Sequence, residues 1–118
     1  VTTKYNPLKF DSKIQAYRKE LSFAEKWNQQ RLAVLFRDNY LSYISSCINN
    51  LMYDACPLTA KEKLSQIRRF FRAEETKNCI AHCKGIRLRS KVMYLLIRLR
   101  LYRVSYLLHR VLFCLRRR

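Results

Sequence analysis

The stretch SKVMYLLIRLRLYRVSYLLHRVLFCL, residues 90–115, decides the fold. Leu101, Val104, Leu108, Val111 and Leu115 recur at steps of three and four, which lines them along one face of a helix. Arg103, Arg110 and Arg117 step by seven and fall on another face. From Ser90 to Leu99 the pattern is alike, with Val92, Leu95, Leu96 and Leu99 opposed to Lys91 and Arg98. After Glu75 the chain holds no acidic residue, and Lys84, Arg87, Arg89, Arg100 and Arg116 to Arg118 add to the basic set. This is a basic amphipathic helical tail.

The tail is not read as a membrane span. A span needs about 20 consecutive apolar residues, and Arg98, Arg100, Arg103 and Arg110 interrupt this one. Each would cost about 2.5–3.5 kcal/mol at a bilayer centre. Lying in the interface avoids that cost, with aliphatics in the acyl boundary and arginines among headgroups. Each basic residue near an anionic surface adds on the order of 1 kcal/mol. Tyr94, Tyr102 and Tyr106 are expected at headgroup level. Two other readings stand beside this one. A basic-faced helix can pack on a protein core with its arginines solvated. Nucleic acid suits the charge through counterion release, but the apolar face is too greasy to stay exposed in a phosphate-binding helix, and no zinc-finger, RNP-like or basic-zipper pattern is present.

The whole composition points the same way. The 118 residues carry 25 Lys and Arg against 8 Asp and Glu, a formal charge of +17, which repels itself in a compact monomer and calls for something negative alongside. One glycine, two prolines and no Asn-Gly or Asp-Gly pair leave little with which to build the tight turns of a β domain. An all-α fold of several amphipathic helices is expected. Cys47, Cys56, Cys79, Cys83 and Cys114 are an odd number without framework spacing, so free thiols in a reducing cytosol are expected. Val1 opens the chain without a secretory leader, and the sequence is expected to be a piece of a longer protein.

Along the chain, residues 1–11 read as an extended lead-in, because Asn6-Pro7 disfavours helix there. Residues 12–84 read as a helical accessory region. Ser12 and Gln15 match a capping box, followed by Ile14, Tyr17, Leu21, Ala24 and Trp27 as one apolar stripe. A second helix is predicted over 29–54, with Leu32, Phe36, Tyr40, Tyr43, Cys47 and Leu51 as its stripe and Val34, Leu35, Ile44 and Ile48 as flanks. Pro57 is expected to end it. Thr59 and Glu62 form a second capping box, opening a helix with Leu64, Ile67, Phe70 and Phe71 on one side. Continuation to Cys83 is open, with Gly85 as the stop signal. Residues 85–118 are the membrane-associating tail.

No residue set reads as catalytic, cofactor-binding or metal-binding. Cys79, His82 and Cys83 form C-x-x-H-C, but structural zinc takes four ligands and no second pair lies at finger spacing. His82 and His109 lack the local signature of a nucleophile pair. Asp11, Asp38 and Asp54 are isolated, and the adjacent Glu74 and Glu75 point apart on a helix.

The opening run Val1-Thr2-Thr3-Lys4-Tyr5-Asn6-Pro7-Leu8-Lys9-Phe10-Asp11 resembles a segment that follows the GT-A catalytic domain in bacterial family 2 glycosyltransferases. The Ala16 to Glu20 run, with Leu21, Phe23 and Glu25, resembles the helix that comes next, and the basic-aliphatic-tyrosine helices over residues 91–99 and 101–115 resemble the tails that dock such enzymes on the cytoplasmic membrane. The resemblance implies a parent enzyme that moves a sugar from a nucleotide donor to a membrane-borne glycan acceptor. It implies a nucleotide-sugar and a divalent metal in the preceding catalytic domain only, since the family's Asp-x-Asp motif has no counterpart here. The partners it implies are that domain and an anionic membrane surface, with peripheral placement on the cytoplasmic face of the bacterial inner membrane. A free-standing nucleic-acid-binding protein is the alternative. A helix-pairing module is a third, for which the two heptads or so over residues 101–115 are marginal.

Overall fold

The fold is that of a computed structural model, which describes residues 5–116. Val1 to Lys4 of the lead-in, and Arg117 and Arg118 of the tail, lie outside the described residues. The described chain is all-helical: α1 (Lys9–Lys26), α2 (Gln30–Met52), α3 (Ala60–Arg72), α4 (Glu74–His82), α5 (Leu88–Arg98) and α6 (Tyr102–Arg116).

The aromatic-rich second helix becomes the spine. Tyr40, Leu41, Ile44, Cys47, Ile48 and Leu51 of α2 are almost fully buried, because α1 packs along it on one side and α5 and α6 on others. Such burial on several faces leaves polar residues of α2 inside, and Asp38, Tyr40, Ser45 and Asn50 are each satisfied by a distant segment, as buried polar groups require. Asn50 Nδ2 donates to the Asn6 carbonyl at 2.8 Å while its Oδ1 accepts from the Asn6 N–H at 3.0 Å. The Tyr40 hydroxyl meets Thr76 Oγ1 of α4 at 2.7 Å, and Thr76 in turn donates to the Phe70 carbonyl at the end of α3 at 2.6 Å. Ser45 Oγ meets His109 Nε2 of α6 at 2.7 Å. Asp38 accepts from the start of α5, as described below. These bonds fix where the other helices dock. Val34 and Leu35, expected as flanks of the buried stripe, are exposed near the start of α2.

Several boundaries differ from the sequence expectation. α1 starts at Lys9, about one turn before the Ser12–Gln15 capping box, and its cap residue Leu8 offers no side-chain bond. The cause is local and tertiary together. Asn6 Oδ1 accepts the Leu8 N–H at 3.0 Å, turning the chain at Pro7, and Phe10 is drawn into the core against Phe70 at 4.3 Å between ring centroids. The extended lead-in therefore ends before Lys9. Trp27 caps the C-terminus of α1 and is exposed, because Asn28 at φ 51 turns the chain away. α2 ends at Met52, before Pro57 can act. The Thr59–Glu62 capping box forms in both directions, at 3.2 and 2.9 Å. The helix it opens does not run through to Cys83. Ala73 has ψ 144, which breaks the chain into α3 and α4 so that Thr76 can turn inward. Gly85 lies in the α4–α5 loop at φ 93, where a Cβ would meet the backbone of Ser90 and Lys91 at 2.7 Å.

Candidate membrane-docking surface

The tail is folded onto the body as a helical pair. Asp38, buried in the middle of α2, accepts the N–H groups of Ile86 and Arg87 on Oδ1, and Arg87 Nε donates to its Oδ2 at 2.7 Å. Ser90 Oγ donates to the Asp38 carbonyl at 3.0 Å. Burial alone would push the Asp38 carboxyl up, but the Ile86 and Arg87 donors outweigh it and hold the group below the ordinary carboxylate range. Met93, Tyr94, Leu96 and Ile97 then seat α5 in the core. The turn into α6 closes with the Leu101 N–H on the Leu96 carbonyl and the Arg100 N–H on the Ile97 carbonyl, a Schellman pair. Arg100 occupies its left-handed position at φ 57, where glycine is usual.

α6 is seated by a polar face. Ser105, Tyr106 and His109 are its buried residues. The Ser105 carbonyl at 2.7 Å can only accept, so His109 Nδ1 carries the proton and Nε2 accepts from Ser45. Burial lowers the His109 pKa, Arg89 and Arg116 lower it further, and the Ser105 carbonyl opposes them. The pair is sealed from solvent and Nδ1 faces a carbonyl rather than a carboxylate, so it locks α6 in place and offers no substrate an approach.

With its polar face inward, α6 turns its apolar face outward. At about 100° per residue, Leu101, Val104, Leu108, Val111 and Leu115 form an arc centred opposite the buried Tyr106 and about a quarter turn from the Ser105–His109 line, and all five are exposed. Leu107 and Leu112, which the sequence stripe omitted, widen that arc. Arg103 and Arg110 run along its flank and are exposed. On α5, Leu95 and Leu99 are exposed beside Lys91 and Arg98, whereas Leu96 is buried at 7% and belongs to the core. Tyr94 and Tyr106, expected at headgroup level, are likewise core residues, and Tyr102 is half-buried. Arg100 and Arg116 are exposed. Among the described residues, twelve of the seventeen exposed large apolar side chains lie at or after Ile86, so exposed apolar residues are concentrated in this part of the chain. Arg89 is crowded by burial and by Arg116 and Arg87, which lower its pKa. No helix among the described residues is long and apolar enough to cross a membrane.

The cysteine and histidine residues do not converge. Cys79 is buried with its thiol on the Arg37 carbonyl at 3.3 Å, Cys83 is buried in the next loop, and His82 is exposed with Nδ1 on the Asn78 carbonyl at 2.9 Å. Among the described residues no group of three or more His, Cys, Asp or Glu side chains is placed to hold a metal ion. Comparison with protein-family models, curated proteins and solved structures finds no match to this chain.

Proposed function

We propose that this chain is a non-catalytic helical region that docks its parent protein on an anionic membrane surface through the outer faces of α5 and α6. One observation carries the reading: α6 is held to the body by its polar side, leaving the Leu101–Leu115 stripe uncovered beside a flank of arginines. A helix of this kind gains by dipping the stripe into the acyl boundary while the arginines meet phosphates. Sedimentation with vesicles tests it. Binding is expected to vesicles containing phosphatidylglycerol, to be weak on pure phosphatidylcholine, and to fall as salt shortens the Debye length. Leu108→Asp with Val111→Asp should abolish it. Equal binding to neutral vesicles, or tighter salt-sensitive binding to duplex DNA than to anionic vesicles, would overturn the reading.

The parent proposed is a glycosyltransferase of the bacterial family 2 type, with its nucleotide-sugar and divalent metal in the preceding domain and its acceptor in the cytoplasmic membrane. The resemblance of residues 1–11 and of the basic tail supports this. Confinement of enzyme and lipid-borne acceptor to one surface raises their effective concentration, which is what a docking region would contribute. The coding sequence upstream of Val1 tests it: a GT-A domain is expected there, and a different domain would contradict it.

A further inference from the structure

Beside the docking surface lies a cleft of about 520 Å³ whose rim is cationic. Arg68 and Arg72 come from the end of α3, Lys77 from α4, Arg98 from the end of α5 and Arg100 from the α5–α6 turn. Its floor is apolar, made of Phe71, Ile80, Ile97 and Tyr102. Through Lys77, Ile80 and Arg98 it continues into a second depression that adds Lys84 and His82.

The charges are oriented without being neutralised. The Arg68 guanidinium lies 5.9 Å from the Tyr102 ring centre, and Arg98 donates to the Tyr94 hydroxyl at 3.0 Å while lying 5.9 Å from the same ring. Among the described residues only Lys77 of the five reaches a carboxylate, Glu74 at 3.8 Å on the open surface. The C-termini of α3 and α5 attract cations, but each helix end supplies only about half a negative charge. Five converging cations exceed that several-fold. Arg100 adds a second indication, since a cation stands on this rim at a left-handed position that glycine would fill without strain.

We propose that this cleft is a binding site for a phosphomonoester dianion. Guanidinium forks match two phosphate oxygens at a time, the volume suits a small molecule, and the apolar floor suits the carbon group the phosphate is attached to. The phosphate can arrive on a soluble metabolite or on a lipid headgroup. The second source rests on the membrane reading above. It is favoured by the turn itself, in which Arg98 and Arg100 line the cleft while the intervening Leu99 and the following Leu101 stand exposed.

The test uses the full chain, Arg68→Gln with Arg72→Gln, and the control Lys19→Gln with Arg31→Gln, which removes equal charge away from both the cleft and the outer faces of α5 and α6. All four positions are exposed, and unchanged circular dichroism and melting confirm the fold of each variant. Titration with glycerol phosphate should show saturable binding, weakened at least tenfold by the cleft pair and less than threefold by the control pair. Vesicles containing phosphatidic acid should be preferred about fivefold over phosphatidylglycerol vesicles of equal surface potential, with the preference lost in the cleft pair, if the phosphate is lipid-borne. Saturable, cleft-dependent glycerol phosphate binding without that preference assigns the site to a soluble phosphomonoester. It also leaves the site standing should the chain bind no vesicles at all. Equal weakening by the two pairs in both arms, or no glycerol phosphate binding and no phosphatidic acid preference, overturns the proposal.

Discussion

Arg87 Nε lies 2.7 Å from Asp38 Oδ2, with the Asp38 side chain 5% exposed and the Arg87 side chain 56% exposed. This pair joins the centre of the spine helix to the first residues of the basic tail. Removing the carboxylate would leave the Ile86 and Arg87 N–H groups facing a buried gap. Asp38→Ala is expected to cost about 2–4 kcal/mol in a denaturant titration, near the lower end for a broken buried pair because Arg87 is half in water. Amide exchange should rise first at Ile86 and Arg87. An unchanged midpoint would show that α5 docks without this pair.

Stability should fall on acidification in two stages. The folded His109 pKa is depressed, so between that value and the unfolded value near 6.5 the unfolded chain binds the extra proton. The stabilisation is complete above about pH 6.5 and is lost as pH falls through the folded pKa. Asp38 acts in the same direction at lower pH, since its folded pKa is also depressed: its contribution is complete above about pH 4 and is lost as pH falls through the folded pKa. Melting temperatures from pH 7.5 down to about 2 should show both stages, and His109→Gln should flatten the first. A profile flat between pH 7.5 and 5 in the unaltered chain would contradict the buried neutral histidine.

Two left-handed positions should respond oppositely to exchange. Gly85→Ala places a Cβ against the α5 backbone at 2.7 Å and strains φ 93, so a loss of about 2 kcal/mol or more is expected. Arg100→Gly relieves strain at φ 57 on an exposed turn and should stabilise the fold by about 1 kcal/mol. It should also weaken phosphate binding at the cleft. A destabilised Arg100→Gly chain would contradict the turn geometry.

Thiol reactivity should separate sharply by site. Burial pushes the thiols of Cys47 and Cys79 up to about 12, so they hold no thiolate at neutral pH. Cys114 is exposed on α6. One equivalent of a thiol reagent should react rapidly in the native chain, at Cys114, and Cys47 and Cys79 only after unfolding. Rapid labelling of Cys79 would contradict the packing of α4 on α2.

The sequence made some of this legible and hid the rest for physical reasons. The Thr59–Glu62 box and the Leu101–Leu115 stripe are local patterns, and both are found where the spacing put them. The Ser12 box failed because Phe10 gains more by burial against Phe70, a residue distant in the chain, than a cap bond offers. The inner face of α6 was hidden because Ser105 and His109 look like solvent-facing residues until Ser45 supplies a partner 64 residues away. Asp38 read as isolated for the same reason, its partners lying 48 and 49 residues on. The cationic cleft is assembled from α3, α4 and the α5–α6 turn, so no single window of sequence contains it. The same packing changes how the tail is best tested. Met93, Tyr94, Leu96, Ile97 and Tyr106 belong to the core, so deleting residues 91–118 would damage the fold, whereas substitution on the outer faces would not.

The orientation of α6 on a bilayer is the most direct test. In a Cys114→Ser background, a polarity-sensitive fluorophore is placed at Val111→Cys on the outer stripe or at Lys19→Cys on exposed α1. On phosphatidylglycerol vesicles the probe at position 111 should shift to the blue and be quenched by acyl-chain quenchers, while the probe at position 19 keeps its aqueous emission. A vesicle-bound chain whose position 111 probe stays in water, or whose two probes shift alike, would contradict docking through the outer face of α6.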